Sequence, residues 1–178
     1  MAANLLSSEP TVIWLTGLSG AGKSTIAKGL EQALQSKNIP VSILDGDVLR
    51  ATLYKDLGFS KEDRIENMRR TAALAKSLLD EGNMVIVALI SPYAQDRLKA
   101  RQLFQKGQFL EVFINTPLET CIQRDPKGLY AKALKGEIKN FTGIDAPYEI
   151  PSNPEIELFT KNKSVEELVN EVLIYKSL

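Results

Sequence analysis

The chain has 178 residues, 44% of them hydrophobic and 25% charged, which suits one soluble globular domain with a sizeable core. Lys plus Arg and Asp plus Glu each number 22, so no global basic field invites nucleic acid. Histidine is absent and Cys121 is the lone cysteine, which excludes a histidine base, a histidine-built metal site and an internal disulfide, and fits a reducing, cytoplasmic setting.

Residues 1–10 read as a loosely attached leader, without the basic start and long apolar run of a signal peptide. No apolar run approaches the roughly 18 residues that span a bilayer, so no membrane is expected. Thr11 to Thr16 is apolar and β-branched, as a buried parallel strand should be. Then comes Gly17-Leu18-Ser19-Gly20-Ala21-Gly22-Lys23-Ser24-Thr25, a complete G-x-x-x-x-G-K-[ST] loop. Ile26, Ala27, Leu30, Ala33 and Leu34 recur at helical spacing and predict a helix over about 22–37. Strand, loop and helix together give the motif its chemistry. Glycines let the backbone turn N–H groups inward on a phosphate, and the helix points its positive end at the same anion. Lys23 is placed to reach the β- and γ-phosphates, and the Ser24 hydroxyl to ligate Mg²⁺.

Asn38-Ile39-Pro40 breaks that helix, and a short strand over 41–44 ends at Asp45-Gly46-Asp47. A short helix over 47–54 and a turn at Leu57-Gly58-Phe59 follow. Ser60 suits an N-cap, with Glu62 and Asp63 in the first turn of a helix running to Asp80 and stopping at Gly82. Met84 to Ile90 is continuously apolar and predicts a central strand, left by Ser91-Pro92-Tyr93. A helix over 94–104, a strand over 109–114 and a helix from Pro117 to Arg124 come next. Residues 125–154 mix glycine, proline, lysine and aromatics, with a short helix near 130–134, and read as a mobile lid. Ile156 to Phe159 is an edge strand, and Ser164 caps a last helix burying Leu168, Val169, Val172 and Leu173. The alternation predicts a single α/β domain over 11–178, a five-stranded parallel sheet with helices on both faces. Ligands bind such sheets at the carboxyl ends of the strands, so Gly17, Asp45 to Asp47, Ser91 and the segment after Asn115 should converge on one cleft.

Asp45 and Asp47 can hold Mg²⁺ through water or accept a proton from a hydroxyl, but a polar turn with a cap at Asp47 explains them equally well. Arg50 lies one helical turn past Asp47, and Arg64 and Asn67 share a helix face; solvated surface charge is the plain alternative for both arginines. Lys127, Lys139 and Phe141 supply the cations and the aromatic ring that a lid over a nucleotide needs. An aromatic there can equally pin the segment to the body of the protein. Ser91 suits a substrate contact or a plain Ser-Pro turn. Phosphoryl transfer from a nucleoside triphosphate to a small hydroxyl compound fits these parts. A guanine-nucleotide switch needs [NT]-K-x-D, and Thr160-Lys161-Asn162-Lys163 ends in Lys.

Several blocks are more specific than the phosphate loop: Leu44-Asp45-Gly46-Asp47, Lys55-Asp56-Leu57-Gly58-Phe59-Ser60, Asp63-Arg64 to Asn67, Ile90-Ser91-Pro92-Tyr93, Arg124-Asp125-Pro126-Lys127-Gly128-Leu129-Tyr130 and Phe141-Thr142-Gly143-Ile144-Asp145. With the loop, they make the chain resemble adenylylsulfate (APS) kinases from about 11 to 175. The resemblance implies a three-layer P-loop kinase fold and the reaction ATP + adenosine 5′-phosphosulfate → ADP + 3′-phosphoadenosine 5′-phosphosulfate, in sulfate assimilation. It implies that Gly17 to Thr25 and Arg124 bind ATP, and that Ser24 and Asp45 serve Mg²⁺. It also implies that Asp47, Arg50, Phe59, Arg64, Asn67, Ile90, Ser91, Lys127 and Phe141 line the sulfonucleotide. Lys23, Asp45, Asp47 and Ser91 are the implied catalytic set, although in-line transfer needs no phosphoserine at Ser91. Relatives of this kind are commonly homodimers. The sequence departs from the family pattern at Val48, Ala51, Thr52 and Asn140.

Overall fold

The structure, a computed structural model, describes residues 9–178. Of the leader expected over 1–10, residues 1–8 lie outside the described residues. Five strands form one sheet: β1 (Val12–Thr16), β2 (Val41–Asp45), β3 (Met84–Ala88), β4 (Phe109–Asn115) and β5 (Ile156–Phe159). Their order is β2-β3-β1-β4-β5 and every pairing is parallel. β1 is therefore the middle strand, with Val12 opposite Val85 on one side and Phe109 on the other. A strand covered on both faces must be apolar throughout, and Val12, Ile13, Trp14 and Leu15 are fully buried. β5 alternates buried and exposed residues, as a half-covered edge requires.

Seven helices, α1 (Lys23–Ser36), α2 (Gly46–Thr52), α3 (Lys61–Asp80), α4 (Ala94–Arg101), α5 (Leu118–Arg124), α6 (Leu129–Leu134) and α7 (Val165–Lys176), occupy the described residues. Successive β1 side chains point to opposite faces, so the sheet builds two cores. Ile13 and Leu15 join Leu30 and Leu34 of α1 and Leu168 and Val172 of α7. Val12 and Trp14 join Met68, Ala72 and Leu79 of α3 and Ala100 of α4, and Trp14 stacks on Phe109 at 5.5 Å. Helix starts follow capping chemistry. The Ser60 hydroxyl accepts from the Asp63 N–H, and Ser164 with Glu167 forms a full capping box, each worth about 1 kcal/mol. No helix among the described residues is long and apolar enough to cross a membrane.

Three elements differ at an end from expectation by two residues or more. β3 stops at Ala88; beyond it the Ile90 carbonyl accepts from the Thr16 hydroxyl at 2.7 Å and from the Gly17 N–H at 3.4 Å. α4 stops at Arg101, after which the Leu103 and Phe104 N–H groups make tighter three-residue bonds to Ala100 and Arg101, both at 3.1 Å. α2 starts at Gly46 and ends at Thr52, because the Asp45 carboxylate caps it by accepting from the Asp47 N–H.

The 125–154 stretch carries more structure than its composition suggests. The Asp125 carboxylate accepts from the Tyr130 and Ala131 N–H groups at 3.0 and 2.9 Å and so starts α6. Tyr130 and Phe141, 1% and 8% exposed, meet edge to face at 5.0 Å within the core beneath α1.

Candidate functional site

The carboxyl ends of β1, β2 and β3 open into a cleft of about 770 Å³. Its floor is the loop between β1 and α1. Gly17 has φ 151° and a Cβ there would lie 2.8 Å from the Ile114 carbonyl, so the loop passes β4 too closely for a side chain. Gly22 at φ 110° turns the chain into α1, which begins with no side-chain cap and no acidic residue in its first turn. Its free N–H groups therefore face the loop as an anion site. Lys23 curls back over the same loop, donating from Nζ to the Gly17 and Leu18 carbonyls at 2.9 and 2.7 Å. Burial pulls its pKa down from 10.5 to about 8, against the raising effect of Asp47 and Asp45. The Tyr130 hydroxyl donates to the Ser19 carbonyl at 2.9 Å, and Arg124 lies 3.4 Å from the Gly20 carbonyl. From behind, the Thr116 hydroxyl holds the Ala21 carbonyl at 2.9 Å.

The two carboxylates at the end of β2 separate in role. Both oxygens of Asp45 are engaged: Oδ2 accepts from the Ser24 hydroxyl at 2.5 Å and Oδ1 from the Asp47 N–H at 2.9 Å. Asp47 points across the cleft instead, where it pairs with Lys127. That pair is half exposed, so it contributes at most about 1 kcal/mol and opens easily. Ser24 and Asp45 form a hard two-oxygen donor set suited to Mg²⁺, which takes few protein ligands and keeps its waters. No cluster of three or more His, Cys, Asp or Glu among the described residues offers a complete all-protein site.

The opposite wall is cationic. Arg50 donates to the Leu57 and Gly58 carbonyls at 3.3 and 2.6 Å. Arg64 donates to the Phe59 carbonyl at 3.2 Å and to the Asn140 carbonyl at 2.9 Å. Their guanidinium carbons sit 4.7 and 5.9 Å from the Phe59 ring centre, and that ring is 59% exposed. Burial lowers both arginine pKa values, and in Arg50 the neighbouring Arg64 charge lowers it further. Both remain cationic, and an anion between them relieves the repulsion. The buried Asn67 lines the cleft with its Oδ1 unpartnered. Ser91 is buried at φ 50°, its hydroxyl accepting from Trp14 Nε1 at 2.9 Å. A non-glycine residue in that region costs of order 1–3 kcal/mol unless its surroundings hold it there.

Almost all of the residues singled out from sequence meet here: Ser19 to Thr25, Asp47, Arg50, Phe59, Arg64, Asn67, Ile90, Ser91, Arg124, Lys127, Lys139 and Phe141 line the cleft. Gly17 and Asp45 are not among the lining residues, Asp45 reaching the cleft only through its bond to Ser24, and Leu18 and the segment after Asn115 line a second hollow of about 580 Å³ instead. Phe141 is buried in the core, which pins its segment to the body of the protein, and it also lines the cleft. Thr160 and Lys163, between β5 and α7, and Val165 and Leu168, at the start of α7, also line it, and nothing in the sequence pattern marks them as cleft residues. The family departures are mild. Val48, Ala51 and Thr52 face solvent, and Asn140 has φ 56°, a conformation that Asn tolerates next best after Gly.

A model of the adenylylsulphate kinase family matches residues 9–159. The chain is 52% identical over 169 residues to an adenylyl-sulfate kinase of Marinobacter nauticus, covering 95% of this chain and 85% of that one. It is 54% identical over 168 residues to an adenylyl-sulfate kinase of Vibrio vulnificus, covering 94% and 81%. Its structure is similar to that of the Mycobacterium tuberculosis APS kinase CysC in complex with AMPPNP and APS, with TM-score 0.91, 48% identity and coverage of 96% and 99%.

Proposed function

The chain belongs to the adenylylsulphate kinase family, and from that premise we propose how its cleft is divided between two nucleotides. The reaction is ATP-dependent phosphorylation of adenosine 5′-phosphosulfate to 3′-phosphoadenosine 5′-phosphosulfate. In our reading ATP lies along Gly17 to Thr25 with Arg124 at its side. The nest of N–H groups and Lys23 take the β- and γ-phosphates, where they neutralise charge developing during transfer. Mg²⁺ would be held by Ser24 and, directly or through water, Asp45, and would supply screening of the phosphate charge.

The sulfonucleotide takes the facing wall. Arg50 and Arg64 clamp its phosphosulfate, Phe59 and Phe141 contact the base, and Asn67, Ile90 and Ser91 form the side. Lys127 brings a further cation from the lid. Asp47 receives the proton of the 3′-hydroxyl, because Asp45 has both oxygens committed while Asp47 gives its side chain to the cleft. The observation that carries this division is the difference between the two carboxylates: Asp45 is tied to the phosphate loop through Ser24, whereas Asp47 lines the cleft and pairs only with the exposed Lys127. Ser91 acts by position, since its hydroxyl already serves Trp14 and direct transfer needs no covalent step.

One domain over 11–178, closure of 125–154 as a lid, a homodimer and a cytoplasmic setting belong to the same proposal. Support for the domain is the single sheet shared by both cores. Light scattering checks the dimer: twice 19.7 kDa supports it and 19.7 kDa overturns it. The decisive assay couples ADP release to acceptor, comparing adenosine 5′-phosphosulfate with AMP, adenosine, gluconate and shikimate. Fast turnover with the sulfonucleotide alone is expected. Preference for a sugar acid would make the chain a kinase of another small hydroxyl compound, and acceptor-independent turnover would make it a switch.

A further inference from the structure

Beside the cleft, and outside it, lies a cluster that this assignment does not use. The Arg97 side chain, on α4, is 3% exposed. Its guanidinium has three acceptors, each 2.7 Å away: Nε donates to Glu111 Oε1, Nη1 to the Ser91 carbonyl and Nη2 to the Glu149 carbonyl. Glu111 stands on β4, Ser91 in the cleft wall and Glu149 near the return of the 125–154 stretch. Three segments far apart in the chain meet on one planar cation, a geometry that a fork of donors satisfies and a single ammonium does not.

The same strap is gripped elsewhere. The left-handed Ser91 has its carbonyl held by Arg97, and the Ile90 carbonyl before it is held by the Thr16 hydroxyl at 2.7 Å. The Tyr148 hydroxyl lies 2.9 Å from that same Thr16 hydroxyl. The Glu149 N–H donates to the Pro92 carbonyl at 2.8 Å, and its carboxylate caps α4 by accepting from the Ala94 N–H at 2.6 Å. Tyr93, the N-cap residue, offers no side-chain bond of its own. The lid's root and the Ile90–Ser91 wall are thus one unit, with Arg97 at its centre.

We propose that Arg97 is a positioning residue for the acceptor. It couples the root of the lid to the Ser91 wall, so that lid closure and presentation of the ribose hydroxyl to the phosphate loop occur in register. The inference rests on the assignment of that wall to the sulfonucleotide. Glu111 balances the buried charge, and Arg101 ties Glu111 in turn to Glu155 where the chain enters β5.

The test is Arg97→Lys in the full chain, with steady-state kinetics varying each nucleotide in turn. Lysine keeps a cation beside Glu111 but cannot also hold both carbonyls. Since misplacing reacting groups by about 1 Å costs on the order of 100-fold, about tenfold is expected in each of kcat and the KM for adenosine 5′-phosphosulfate, with the KM for ATP within about twofold. Tyr148→Phe removes one bond of the same unit without stranding a charge, and should raise the sulfonucleotide KM alone by about threefold. Lys99→Ala, on the exposed side of α4, serves as the control and should match the parent. Equal shifts in both KM values, or parent-like kinetics in both variants, would overturn the proposal. If Arg97→Lys does not fold, Tyr148→Phe decides. A parent enzyme inert toward the sulfonucleotide sinks the functional assignment instead, so the two failures are distinguishable.

Discussion

The loop from Gly17 to Thr25 is one unbroken run between β1 and α1, whereas the wall facing it draws Arg50, Arg64, Ser91 and Phe141 from four separate segments. On the loop side the groups offered to an anion are largely backbone N–H, fixed by glycine conformations and the start of α1. On the facing side they are long side chains, whose aim depends on neighbours contributed from elsewhere. Arg64 shows the dependence: one of its donors holds Asn140, 76 positions along the chain. A local site tolerates changes in distant residues. An assembled one transmits them, because a shift at Asn140 moves Arg64.

Three measurements sharpen that contrast. The largest effect is expected at the loop, where Lys23→Ala removes the cation that folds back over the Gly17 and Leu18 carbonyls. Turnover should fall on the order of 10³-fold with the fold intact by circular dichroism. A near-parent kcat would show that the loop does not stabilise the transferring group. Next comes Arg64→Ala, which deletes a charged donor from the assembled wall. At about 2 kcal/mol for such a contact, the sulfonucleotide should bind about 30-fold more weakly by calorimetry, with ATP little changed. Equal losses for both ligands would erase the distinction between the two sides.

The smallest effect is a pH dependence. Lys23 titrates near 8 in the folded chain instead of 10.5, because burial disfavours its charged form. Between those values the unfolded chain holds the proton and the folded chain does not, so this group makes the fold more stable as pH rises. ATP binding has the opposite sign. The phosphates favour the protonated amine, so affinity should drop about fivefold from pH 8 to 9, with proton uptake on binding. Titrations in two buffers of different ionisation enthalpy measure that uptake. A pH-independent affinity with no proton uptake would place Lys23 away from the phosphates.

The same contrast explains how much could be read beforehand. The strand–loop–helix unit is a run of adjacent residues whose types dictate their own conformation, so its place in the fold was legible. Element types were legible too, since Val12 to Leu15 and Met84 to Ala88 have no polar face to turn to water. The ends of β3 and α4 were not: beyond them the carbonyl of Ile90 goes to Thr16 and Gly17, and the turn after Arg101 closes on itself. Arg50 and Arg64 read as surface charges from spacing alone, and only resemblance to a family lifted them into the site. The separation of Asp45 from Asp47 was open, because adjacent carboxylates in a turn look alike until their partners are placed.

By itself the sequence determined an α/β alternation, a phosphate loop and the absence of histidine chemistry, since each follows from residue type and near-neighbour spacing. Tertiary structure alone decided that Thr160, Lys163, Val165 and Leu168 line the cleft, that Tyr130 and Phe141 seat the 125–154 stretch in the core, and that Arg97 joins three distant segments. The physical reason is one of range. Backbone conformation answers to adjacent residues, whereas a buried donor must find its acceptor wherever packing of the whole sheet has placed it.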